Sequence, residues 1–163
     1  MPRCARGATT DIELHVASVL TGPGQVVADT ARQVAAAPGR SDVLLYTSRA
    51  LVRGRDAADS LAIARAVSAA LSRTVRQALP ARPAWVIAKG GITSHDVAVH
   101  GLGIRRAEVA GQLFPGVISV FRPIDAAPQA IGVPYIVFAG NVGDEETLRQ
   151  VVGILNGNSR EDA

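Results

Sequence analysis

W-V-I-A at residues 85–88 runs straight into K-G-G-I-T-S-H-D at residues 89–96, and this stretch decides the fold. A short apolar run bounded by turn residues reads as a strand buried on both faces, as in parallel sheets. Two glycines then turn the chain, and T-S-H-D-V-A-V-H-G-L-G carries a short helical pattern. A strand, a glycine turn and a helix in succession form the repeating unit of an α/β domain. The same unit recurs further on: Y-I-V-F at 135–138 enters A-G-N-V-G at 139–143, and a helix follows over about 144–155.

Upstream, the clearest helix spans 59–79. Leu61, Ala64, Val67, Leu71, Val75 and Ala78 recur there at steps of three and four, and Pro80 and Pro83 stop it. D-V-L-L-Y-T-S at 42–48 reads as another strand buried on both faces, and residues 26–37 as a helix closed by Pro38-Gly39. Residues 11–20 read as a strand, with Ile12, Leu14 and Val16 alternating against Glu13 and His15, before Gly22-Pro23-Gly24 breaks the chain. Strand-like pieces also fall at 107–111 and 117–122, and G-L-G-I-R-R at 101–106 reads as a connection. The expectation is one α/β domain whose mostly parallel, or mixed, sheet is flanked by helices. Residues 1–10 are read as a disordered or atypical N-terminus, 11–155 as the domain and 156–163 as a tail.

Composition narrows the function classes. The 163 residues suit one domain, and 48% hydrophobic against 19% charged residues supports a packed core. One Trp, two Tyr and three Phe are too few for an aromatic cage or a base-stacking platform. The net charge is +3, but the arginines are spread along the chain, so no nucleic-acid partner is expected. The single cysteine, Cys4, excludes an internal disulfide and a cysteine-rich metal site. His15, His95 and His100 lack zinc-site spacing, so no metal ligands are assigned. No apolar run approaches the ~18 residues of a membrane span, and M-P-R-C-A-R-G-A-T-T lacks a signal-peptide core. A cytoplasmic protein without a membrane partner is expected.

In parallel sheets, ligands bind beyond the carboxyl ends of the strands, which selects two loops. In the first, Gly90 and Gly91 expose backbone N–H groups, Thr93 and Ser94 add hydroxyls, and Lys89, the only lysine, stands directly before the turn. These groups suit a phosphate, although the spacing is not that of a P-loop. The bland alternative is a plain turn, with Thr93 and Asp96 forming a capping box. In the second loop, Gly140 and Gly143 permit unusual backbone angles and Asn141 can bond a ligand. Asp144, Glu145 and Glu146 then open a helix, where carboxylates stabilise the dipole and repel phosphate unless Mg2+ intervenes.

Taken together, three segments resemble the C-terminal nucleotide-binding domain of the four-carbon acid sugar kinase family. They are L-L-Y-T-S-R-A-L-V-R-G-R-D-A-A-D-S-L, W-V-I-A-K-G-G-I-T-S-H-D-V-A-V-H-G-L-G and P-Y-I-V-F-A-G-N-V-G-D-E-E-T-L-R-Q-V-V, within residues 42–152. The resemblance implies ATP-dependent phosphorylation of a small sugar acid of tetronate or 3-oxo-tetronate type, assisted by Mg2+. It places nucleotide contacts on Gly90, Gly91, Ile92, Thr93 and Ser94 and on Gly140, Asn141 and Gly143, with Lys89 available to neutralise charge. It assigns no catalytic base.

The sequence departs from the family pattern in places. It contains no D-D-x-T-G-A segment, which in the family belongs to the sugar-binding N-terminal domain. Ala139 stands where proline is common and His95 where serine is common. The expectation is a nucleotide-binding half that does not phosphorylate a sugar alone and works with a separate sugar-acid-binding domain or subunit. The alternative is a non-catalytic binding module, a homo-oligomer formed through its apolar surface.

Overall fold

The computed structural model describes residues 9–37, 41–49, 52–114 and 118–157. The readings placed on residues 1–8, on Pro38-Gly39, on Val117 and on the tail beyond Gly157 lie outside the described residues. Strand β1 (Thr9–Leu14) leads into two helices, α1 (Val16–Thr21) and α2 (Pro23–Ala36), then β2 (Asp42–Thr47) and the long α3 (Ala57–Ala78). The second half holds β3 (Val86–Lys89), α4 (Gly91–Asp96), a π-helical segment (Val97–Gly101), β4 (Arg106–Phe114), β5 (Ile118–Asp125), β6 (Tyr135–Phe138) and α5 (Glu145–Leu155).

The α/β class expected from the sequence is the class observed, but the strands form two sheets. β1 and β2 make a two-stranded parallel sheet, and the other four run in the order β3-β6-β5-β4. In that second sheet β3 and β6 are parallel, while β5 is antiparallel to both β6 and β4. The parallel pairs are thus the outer β1–β2 pair and the β3–β6 pair that carries the two glycine loops.

Several elements differ from the sequence reading. The strand expected over 11–20 ends at Leu14, and α1 follows. Val16 and Val19, three residues apart, are both buried, which is helical spacing and continues no strand alternation. The break at Gly22 is real, but Pro23 already occupies the first turn of α2; its missing N–H costs nothing there. β2 is only partly covered, and its Leu44 is exposed, so the burial on both faces expected of this strand is not met. β4 and β5 run longer than their apolar cores, past Gly111 and Pro123 respectively, residues that count against strand in a sequence reading.

Helix α3 holds the molecule together. The Asp56 carboxylate caps it by accepting from the Asp59 N–H at 2.7 Å, and a 3-10 turn at Leu79–Ala81 ends it at Pro80. Its Ala70 packs against Leu14, Val19 and Val27 of the N-terminal half. One turn and more further on, Val75 and Leu79 pack with Ala88, Val97, Leu102 and Tyr135 of the second half. A third cluster, built on Ile118, Ile136, Phe138 and Val151, seats α5 on the other side of the four-stranded sheet. The β3–β6 pair is therefore covered on both faces, which fixes where its loops emerge.

Candidate nucleotide site

Parallel pairing sets the site. Lys89 lies opposite Phe138 in register, so β3 and β6 end at one rim and their loops leave side by side. The Gly90 N–H donates to the Phe138 carbonyl at 2.8 Å, which carries the ladder one residue past β3. Gly90 then turns at φ 99°, a left-handed angle that glycine adopts without strain. A Cβ on Gly140 would sit 3.6 Å from the Gly90 Cα, so the two loops touch. Gly91 and Asn141, expected on one rim, stand on adjoining loops.

The first loop is braced from below. Gly90, not Thr93, stands at the N-cap of α4, and no side chain caps that end. The capping box offered by the bland alternative, between Thr93 and Asp96, is absent because the helix starts three residues earlier, with the Ser94 N–H donating to the Gly90 carbonyl at 2.9 Å. Asp96 sits at the far end of α4 and accepts instead from the Ser68 hydroxyl of α3. The Ser94 side chain is buried, and its hydroxyl donates to the Ala88 carbonyl at 2.8 Å. The Tyr135 hydroxyl, also buried, donates to the Ser94 carbonyl at 2.6 Å. These two bonds pin α4 to the carboxyl-terminal part of β3 and to the first residue of β6.

What the loop presents outward is different. Gly91 and Ile92 are exposed, Ile92 at 77%, and Thr93 is half-buried. A Cβ added at Gly91 would meet no protein atom within 4 Å, and its φ is not positive. Neither packing nor backbone angle requires glycine there, so its bareness leaves room at the rim.

In the second loop Gly140, Asn141 and Gly143 are exposed. Gly143 has φ 68°, and a Cβ there would come within 2.6 Å of Thr147. Asp144 and Thr147 form a reciprocal cap on α5: the Asp144 carboxylate accepts from the Thr147 N–H at 2.9 Å, and the Thr147 hydroxyl accepts from the Asp144 N–H at 3.1 Å. Bonds from the Thr147 hydroxyl and backbone hold the Asp144 carboxyl below the usual aspartate range. Glu146 pairs with Arg149 at 3.2 Å. Asp144 thus stabilises the helix, the role read for the acidic turn from the sequence. Lys89 bridges to this loop, with its ammonium 4.1 Å from the Phe138 ring centroid and 3.4 Å from the Val142 carbonyl.

Sequence reasoning missed Tyr135 and Phe138, which it took only as strand residues. A signal existed: a tyrosine in a buried strand needs a partner for its hydroxyl.

A family model described as a nucleotide-binding C-terminal domain matches residues 3–148. The chain belongs to this family. The two loops lie within the matched span, and this is the kind of domain they resemble. Solved structures share the fold of this nucleotide-binding C-terminal domain. A domain of unknown function (DUF1537) from Bordetella bronchiseptica, crystallised with citrate as a domain-swapped dimer, is 22% identical with a TM-score of 0.62, over 93% of this chain and 35% of its own. A Haemophilus influenzae protein of the same DUF1537 family is 19% identical with a TM-score of 0.61, over 89% of this chain and 34% of its own. The chain thus spans about a third of these structures. No curated protein matches it. Among the described residues, no helix is long and apolar enough to cross a membrane.

Proposed function

We propose that this domain binds ATP at the shared rim of β3 and β6, as the nucleotide half of a kinase acting on four-carbon sugar acids of tetronate or 3-oxo-tetronate type. One observation supports this above the others: two glycine-bearing loops, 50 residues apart in sequence, adjoin at the carboxyl ends of paired parallel strands, inside a family of nucleotide-binding domains. Phosphoryl transfer rests on positioning and charge neutralisation. In this reading the backbone N–H groups of Gly91, Ile92, Asn141 and Gly143 and the Thr93 hydroxyl face the phosphates. Ser94 serves by bracing the loop.

The Asp144 and Glu146 carboxylates already have partners, and no group of three His, Cys, Asp or Glu suited to a metal occurs among the described residues. Mg2+ therefore comes bound mainly by the phosphates and water, as is usual for this ion. The acceptor sugar acid is held by a second domain or subunit, so this chain by itself binds nucleotide without turnover. The setting is cytoplasmic, where ATP is abundant.

Mg-ATP at ~100 times its dissociation constant should add about 2.7 kcal/mol to unfolding, read as a rise in melting temperature. Gly91→Ala should leave the ligand-free protein as stable or slightly more so, because the site accepts a Cβ. Gly91→Asp should remove the Mg-ATP shift by placing a side chain and a negative charge at the rim. A wild-type protein with no shift in millimolar Mg-ATP would sink the reading.

A second reading, a homo-oligomeric binding module without catalysis, draws on β4. This nine-residue outer strand is largely exposed, with Val109 70% accessible. Oligomers seen by light scattering in a protein that does not bind Mg-ATP would favour it.

A further inference from the structure

Lys89 is the chain's only lysine, and its contacts join the two loops. It ends β3 opposite Phe138, whose ring is fully buried while Lys89 itself is exposed. The ammonium therefore caps an aromatic face at the rim, 4.1 Å from the ring centroid, and reaches the Val142 carbonyl at 3.4 Å. An ammonium has three donors, and 3.4 Å is long for an N–H···O bond. The tie to Val142 is thus weak and leaves donor capacity unused. A phosphate oxygen between the loops would accept a shorter, charge-assisted bond, roughly twice as strong as one to a neutral carbonyl. Such an anion would compete with Val142 for the ammonium.

We propose that Lys89 is a phosphate-responsive tie between the two loops. Without an anion it links Val142, and with it the 140–143 loop, weakly to the end of β3. A nucleotide phosphate takes over the ammonium and releases the Val142 carbonyl. The proposal rests on the nucleotide reading above and adds the residue that senses the phosphate.

Because no other lysine is present, amine acylation of the intact protein reports on Lys89, with the chain's α-amino group as internal control. Saturating Mg-ATP slows Lys89 acylation severalfold and leaves the α-amino rate unchanged. By calorimetry, Lys89→Met binds Mg-ATP roughly tenfold more weakly and Lys89→Arg within about threefold of wild type. Unprotected Lys89 together with unchanged affinity in Lys89→Met, in a wild type that does bind Mg-ATP, overturns the tie and leaves the nucleotide reading standing. A wild type that binds no Mg-ATP overturns both.

Discussion

Ser94 and Tyr135 show how a residue that looks like a ligand contact becomes part of the scaffold. In sequence, Ser94 follows two glycines and a threonine, and that order points to phosphate. In the fold its hydroxyl turns inward to the Ala88 carbonyl, and Tyr135 closes the same junction from β6. Burial pushes the Tyr135 phenol up. Its folded value lies above its unfolded one, so its contribution is fully present below the unfolded value, about pH 10, and is lost as pH rises beyond it. Tyr135→Phe should cost about 1 kcal/mol at neutral pH, as expected for one hydrogen bond. It should also flatten the alkaline fall in stability, a change that urea midpoints followed upward in pH would reveal. An alkaline limb as steep in the variant as in wild type would refute the assignment.

Among elements, legibility depended on length and on covering. Helix α3 was readable because its apolar residues repeat over many turns, and β6 because four apolar residues sit between a proline and a glycine loop. Helix α1 was not: six residues hold too few turns to separate helical from alternating spacing, and Ile12, Leu14 and Val16 favoured the wrong one. α4 hid its true start because Gly90, with no side chain, occupies the cap position. α5 was legible down to its acidic first turn, whose Asp144–Thr147 cap is local chemistry. Since Thr147 bonds depress the Asp144 carboxyl, its stabilising effect is present above the usual aspartate range and disappears as pH falls through the folded value. Asp144→Ala should lower the melting temperature at neutral pH, and the gap to wild type should close in strong acid. A gap that persists there would mean that the cap acts through packing and not through charge.

For the whole molecule, periodicity told which residues are apolar but not which strands pair. The split into a two-stranded and a four-stranded sheet was therefore invisible, since strand partners are chosen by tertiary packing across α3. The rim was legible because position at the carboxyl end of a parallel strand follows from topology alone, and two such strands in register bring their loops together. The central claim is that both loops address one ligand. Amide shifts recorded by NMR during a Mg-ATP titration test this most directly. The account predicts that the Gly90, Gly91, Thr93, Asn141 and Gly143 amides move together along one saturable curve. Shifts confined to a single loop, or none at saturating nucleotide, would contradict it.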